Sequence, residues 1–488
     1  MSKTDFDPFA SATQLASSIR EGALSAQDAL ESYLDRVDRF NPDLNAIIFS
    51  DRDGARRRAR MLDERANRDD WRGPLHGVPM TIKESFDIAG MPTTWGVPAL
   101  KDNIAKTNAL AVDRLQAAGA VIFGKTNVPL LLADWQSFNE IYGVTNNPWD
   151  LSRSPGGSSG GSTAALAAGL SGLDAGSDIG ASIRNPAHYC GVFGHKPSYG
   201  ICPPLGQALP GVATPADISV IGPLARSATD LAIALDVMAG PAPQDAVAYR
   251  LDLPPPGKTE FSHFKVAVML SDPNSEVDSE LADTLQALID KIAAAGTTVD
   301  DAARPDIDTV RAHALYIALL RAATSSRLSE EERNRMAAEA AALDPGDAGY
   351  HAQTLRANTM RHGEWLKLNN EREHLRRSWA AFFQDYDLLL CPAAASAACP
   401  HDHSGERHNR TITVNGKQVP TTDQLFWAGF SGSVYLPSTV APAGLTKSGL
   451  PVGLQIVGPY LQDRRCIEFA GLIEQAFGGF VAPPGYGA

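Results

Sequence analysis

Gly156-Gly157-Ser158-Ser159-Gly160-Gly161-Ser162 and Gly176-Ser177-Asp178-Ile179-Gly180-Ala181-Ser182-Ile183-Arg184 stand close together in a chain of 488 residues. The first run leads straight into Thr163-Ala164-Ala165-Leu166-Ala167-Ala168-Gly169-Leu170, whose small residues fit a tightly packed buried helix. A Gly/Ser run on its own reads as a flexible linker; the buried-type helix that follows speaks for a fixed turn. Upstream, residues 75–83 read as a strand whose apolar run, Val78-Pro79-Met80-Thr81-Ile82, ends in Lys83. Residues 108–119 then read as a helix stopped by Gly119, and Ala120-Val121-Ile122-Phe123-Gly124 as a short buried strand. Strand, helix and strand in alternation predict α/β layering.

The same pattern extends outward. Leu15, Ile19, Leu24, Ala29, Leu30, Tyr33, Leu34 and Val37 recur at helical spacing, giving an amphipathic helix or helix pair over residues 13–39. Residues 55–66, 227–239 and 278–295 are further helices. Residues 264–269, 386–390 and 454–457 are strands, and the Pro-rich stretch 241–256 is a surface excursion. Residues 310–384 are long, charged and mostly helical, with a break at Asp344-Pro345-Gly346-Asp347; they read as a helical cover over the layer that holds the serines. There are no internal repeats.

Bulk numbers set limits. The length suggests about three domains as a soft prior, yet no segment reads as a linker between independent cores. Hydrophobic residues make up 44%, enough for a large buried core. Basic residues number 43 against 56 acidic, a formal charge of −13, so the chain is a poor nucleic-acid binder. Arg56-Arg57-Arg58 is read as an exposed helix face. The start lacks an apolar leader core, and no run is long and apolar enough to span a membrane. Five scattered cysteines without Cys-x-x-Cys spacing read as reduced thiols, so a cytoplasmic location is expected. No ligand cluster calls for a metal or organic cofactor; His401-Asp402-His403 reads as a surface loop.

Leu75-His76-Gly77-Val78-Pro79-Met80-Thr81-Ile82-Lys83-Glu84 and the two Gly/Ser segments are joined by three further stretches. These are Gly191-Val192-Phe193-Gly194-His195-Lys196-Pro197-Ser198, Ile221-Gly222-Pro223-Leu224-Ala225-Arg226 and, near the end, Gly449-Leu450-Pro451-Val452-Gly453-Leu454-Gln455-Ile456-Val457-Gly458. In this order and at these spacings the chain resembles the amidase signature family from about residue 15 to about residue 473, most densely over residues 73–226. The resemblance implies one large α/β domain, residues 1–488, with a central mixed, twisted β-sheet covered by helices on both faces. It also implies hydrolysis of an amide carbon–nitrogen bond.

By that resemblance Ser182 is the nucleophile that forms an acyl-enzyme, Ser158 the proton relay and Lys83 the base. The separation 182 − 158 = 24 residues selects Ser158 over Ser159, and a cis peptide is expected at Gly157–Ser158. A protonated lysine has no lone pair, so the base must be neutral; burial among apolar neighbours lowers a lysine pKa toward that state. The backbone amides of Ile179, Gly180, Ala181 and Ser182 are the implied oxyanion hole. The family usually carries glycine where this chain has Ala181, so a positive φ there would strain the alanine and its methyl would narrow the pocket. Asp178 and Arg184 are expected to be a charge pair that fixes the turn, with Lys196 in the same frame.

The substrate side is expected along Leu132, Ala133, Trp135 and Tyr142, with Trp427 added from downstream. These apolar residues favour a hydrophobic or aryl amide, with ester and carbamate cleavage as side activities. Other readings stay open. The chain could be the glutaminase-type subunit of a tRNA-dependent amidotransferase, although Ser198-Tyr199-Gly200-Ile201-Cys202-Pro203-Pro204-Leu205 departs from the arginine-containing sequence of those subunits. Gly156-x-Ser158-x-Gly160 also matches the nucleophile elbow of an esterase, which needs a strand before Ser158 and a partner such as His401 or His403. The partner expected is a small-molecule amide, with a homodimer left open.

Overall fold

The helical spacing of residues 13–39 resolves into two helices, Ala12–Arg20 and Ala26–Leu44. Serines open both: Ser11 accepts from the Gln14 amide in a capping box, and Ser25 accepts from the Asp28 amide. Their buried faces carry Leu15, Ile19, Leu30, Tyr33 and Leu34. The computed structural model describes residues 6–487.

One mixed sheet of eight strands forms the centre. Its spatial order is Thr298–Asp300, Lys265–Val268, Leu388–Pro392, Pro451–Val457, Ser438–Leu445, Phe193–Lys196, Val220–Ala225 and Asp174–Asp178. The first three run parallel and the remaining pairings are antiparallel. Helices flank the sheet, including Ala228–Met238, Ser279–Ala294 and Asp463–Phe477. A continuous apolar core reaches from Ala12 to Tyr486.

A second, three-stranded sheet holds the lysine strand. Pro79–Lys83 lies parallel to Val121–Thr126, which pairs antiparallel with Ile47–Ser50. All five residues of Pro79–Lys83 are buried, which is why that segment reads as a run of apolar residues without alternation. The Thr81 amide donates to the Leu173 carbonyl at 3.2 Å and the Gly172 amide to the Pro79 carbonyl at 3.1 Å. These bonds dock the small sheet against the edge strand Asp174–Asp178 and carry the end of the lysine strand to the end of that one.

Residues 310–384 form four helices, Thr309–Thr324, Glu330–Ala342, Tyr350–Asn358 and His362–Asp385. The break at residues 344–347 falls where Pro345 and Gly346 place it. Further breaks follow Thr324 and Asn358. The Arg56–Arg58 run departs from an exposed face. Arg56 pairs with Glu31 at 2.6 Å while staying partly exposed, and Arg58 turns inward to donate to the Ala120 carbonyl at 2.7 Å; Arg57 is exposed. Among the described residues no helix is long and apolar enough to cross a membrane.

Candidate active site

Lys83 ends its strand with the ammonium nitrogen inside a ring of serines. Its Nζ donates to Ser158 Oγ at 2.7 Å, to Ser159 Oγ at 3.0 Å and to Ser177 Oγ at 3.0 Å. Burial removes water from the amine and lowers its pKa to about 7, although Asp178 and Asp174 nearby oppose the shift. A neutral amine has two N–H groups and one lone pair, so one of the three hydroxyls then donates into the nitrogen. Ser158 makes the shortest contact.

The Gly157–Ser158 peptide is cis. Ser159 closes the turn and opens the helix Gly160–Ala167, every residue of which is buried. Apart from Leu166, its side chains have two carbons or fewer, which lets this helix sit close against the sheet. The Ser159 amide donates to the Ser182 carbonyl at 3.1 Å, so the two serine segments are tied by their backbones. Ser158 and Ser182 face the same cavity, and no hydrogen bond joins their hydroxyls.

Around Ser182 the chain is held from both sides. Asp178 accepts from the amides of Ala181, Ile183 and Arg184 at 3.0, 3.0 and 3.3 Å. Arg184 meets the same carboxylate through Nε and Nη2 at 3.0 and 2.9 Å. Burial alone would raise the Asp178 carboxyl; the Arg184 guanidinium outweighs it and holds the group below its ordinary range. From the other side, Tyr316 Oη donates to the Ile179 carbonyl at 2.8 Å and Trp135 Nε1 to the Gly180 carbonyl at 2.6 Å. A peptide carbonyl and the following N–H point in opposite directions. Fixing the Ile179 carbonyl on Tyr316 therefore turns the Gly180 N–H the other way.

This geometry corrects the expected oxyanion hole at one position. The Ala181 N–H is taken by Asp178, whereas the amides of Ile179, Gly180 and Ser182 make no hydrogen bond to a described residue. Ala181 does have a positive φ, +68°, in the left-handed region that favours glycine. Ala181 is fully buried and is not among the residues that line the cavity; it joins an apolar cluster with Trp135, Tyr316 and Leu425.

The cavity is about 210 Å³, room for a small molecule rather than a folded chain. Leu132, Ala133 and Trp135 line it as expected; Tyr142 and Trp427 do not. Trp427 is fully buried against Phe426 and Phe430, with ring centroids at 5.2 and 5.5 Å. It sits two residues, roughly 200°, around its helix from Leu425, which does face the cavity. Tyr142 is half-buried near Glu84, where its backbone carbonyl accepts from Asn45. Sequence reasoning missed Ser177, Tyr316 and the cover residues that close the cavity, Leu320, Arg321 and Arg327. Ser177 was legible in principle, beside Asp178 in a quoted motif; the others lie in a segment with no motif.

No strand precedes Ser158 and its hydroxyl meets a lysine, so the nucleophile-elbow geometry is not present. His401 bonds Asn146 Oδ1 at 3.1 Å and His403 stacks on Phe138 at 4.1 Å. Among the described residues no three His, Cys, Asp or Glu side chains group as metal ligands.

A buried lysine drawn toward neutrality beside a serine cluster, facing a turn with free amides, is an arrangement suited to acyl transfer. Comparison with known proteins narrows the class. The Amidase family model matches residues 28–467. The chain is 32% identical to an indoleacetamide hydrolase of Bradyrhizobium diazoefficiens, over 96% of this chain and 86% of that one. It is equally 32% identical to an acylamidase of Rhodococcus erythropolis, over 95% and 94%. A bacterial aryl acylamidase structure superimposes with a TM-score of 0.82 at 24% identity, over 96% of both chains, a likeness of fold. The chain belongs to the amidase signature family, hydrolases of amide carbon–nitrogen bonds.

Proposed function

We propose that the protein cleaves amides of apolar or aryl character through an acyl-enzyme on Ser182. Ser182 Oγ attacks the carbonyl carbon, and its proton passes to Ser158 Oγ as the Ser158 proton passes to Lys83 Nζ. The carbonyl oxygen becomes an oxyanion that the amides of Ile179, Gly180 and Ser182 stabilise; one such donor typically accounts for about 3–4 kcal/mol of barrier. The C–N bond then breaks as the relay runs backward and protonates the leaving amine. Water releases the acyl group by the same steps.

The observation that carries this reading is Lys83: fully buried, drawn to a pKa of about 7 by desolvation, and in contact with Ser158. Apolar residues on the cavity wall, Leu132, Trp135, Leu320 and Leu425 among them, support the substrate preference. Esters and carbamates present the same carbonyl to the same donors and are slower or side substrates. Five free thiols, four of them buried, fit a reducing cytoplasm. The test is a fluorophosphonate serine probe on the native protein. It labels Ser182 and fails on Ser182→Ala; labelling of Ser158 with Ser182 untouched overturns the assignment.

A further inference from the structure

Three arginines line the cavity that Ser158 and Ser182 face: Arg321, Arg327 and Arg407. None is in an ion pair with a described residue, in a chain of 56 acidic residues where arginines elsewhere find them, as Arg372 does Asp217 at 2.7 Å and Arg311 does Glu371 at 2.6 Å. The one carboxylate on the cavity wall among the described residues, Asp134, is occupied by Arg410 at 2.7 Å.

Two of the three have structural work as well. Arg327 Nη1 donates to the Leu131 carbonyl at 2.8 Å; Arg407 donates to the Ala133 carbonyl and, at 2.9 Å, to Tyr350 Oη. Arg321 donates to no backbone carbonyl among the described residues. Its Nε is buried without a hydrogen-bond partner, and its guanidinium lies over the Tyr350 ring at 5.5 Å. A buried donor without an acceptor is costly unless something else supplies one. Tyr350 registers the local field: burial alone would raise its phenol, yet Arg407 and Arg321 outweigh burial and lower it.

We propose that the cavity takes an amide whose apolar body also carries a carboxylate, which Arg321 receives with Arg327 and Arg407 reinforcing the positive potential. A carboxylate offers two oxygens to the planar guanidinium fork, and the leucine and tryptophan walls hold the rest of the molecule. This rests on the amidase reading above and narrows its substrate class.

Two matched pairs test it: acetanilide with 4-acetamidobenzoate, and butyranilide with N-phenylsuccinamate. They place the carboxylate on the amine side and on the acyl side. In the wild type at least one carboxylate member is expected to exceed its neutral partner about tenfold in kcat/KM. Arg321→Met brings that ratio to near unity, and Arg321→Lys, which keeps the charge and loses the fork, retains only part of it. Neutral partners preferred in both pairs, or a ratio that Arg321→Met leaves intact, overturn the proposal without needing any variant to be inactive. Calorimetric binding of the same four compounds to Ser182→Ala separates the two readings. Tighter binding of a carboxylate member with no cleavage by the wild type sinks the catalytic reading and leaves this one standing. Cleavage of the anilides without tighter binding does the reverse.

Discussion

Every residue of the helix Gly160–Ala167 is buried, and no residue of the helix Glu330–Ala342 is. The first belongs to the layer that holds Lys83, Ser158 and Ser182, the second to the helical cover. The layer is rich in glycine, alanine and serine, and Asp178 alone accepts three amides and a bidentate guanidinium, while Asp174 Oδ1 and Asn185 Nδ2 are buried there without partners. The cover is charged and more open, and leaves Arg321 Nε, His313 Nδ1 and Thr354 Oγ1 buried without partners. The residues proposed for the chemistry sit where packing leaves little freedom, while part of the cavity wall, Leu320, Arg321 and Arg327 included, comes from the cover.

Substitutions at four sites press on this contrast. Ser182→Ala is expected to lower kcat roughly 10⁴-fold or more while the melting temperature stays near wild type. A mild loss would show that the layer is not where the chemistry resides. Lys83→Ala should cost about 10³-fold on an anilide but far less on the matched nitrophenyl ester, whose leaving group needs no proton. Wild-type amide hydrolysis should fall as pH drops through about 7, because protonation then removes the lone pair. The sign for stability is the same. Between about 7 and 10.5 the unfolded state holds more protons at this lysine than the folded one, so its contribution to stability improves as pH rises across that window. An acid limb that survives in Lys83→Ala, or equal losses on both substrates, would remove the lysine from the role of base.

Tyr316 is where the cover reaches into the layer. Tyr316→Phe deletes the bond to the Ile179 carbonyl and is expected to reduce kcat about fivefold, the equivalent of ~1 kcal/mol, with KM little changed. An unchanged kcat would mean that the turn holds its amides in place without help from the cover. The smallest effect is at Ala181. Glycine there relieves a left-handed conformation that costs an alanine about 1–2 kcal/mol and gives up a buried methyl worth about 0.8 kcal/mol. Ala181→Gly should therefore move the denaturation midpoint slightly upward; a clear loss would show that the methyl's packing outweighs the backbone strain.

The sequence carried the layer well and the cover poorly, for a physical reason. Lys83, Ser158 and Ser182 sit in short motifs whose spacing is itself the constraint, because the turns that hold them are local. Even there the fate of the Ala181 N–H was hidden: which amides a carboxylate three residues away collects depends on the turn's dihedrals. Trp427 and Tyr142 were misplaced because an aromatic residue declares that it is apolar, not which side of its element faces the cavity. Arg321 and Tyr316 share one helix, and only tertiary packing turns one toward the cavity and the other toward the Ile179 carbonyl.

Arg184 also grips the Ala428 carbonyl, Ser431 Oγ and Gln455 Oε1 at 3.0, 2.9 and 2.8 Å. The guanidinium that frames the Ser182 turn is thus completed by residues encoded more than 240 positions later. On the ribosome, a nascent chain carries all three reactive side chains long before it carries Gln455. Until Ala428, Ser431 and Gln455 have all emerged, Arg184 Nη1 lacks its full set of acceptors and the turn lacks its far anchor. The complete set of contacts around the Ser182 turn is therefore expected to form only once the strand Pro451–Val457 joins the sheet.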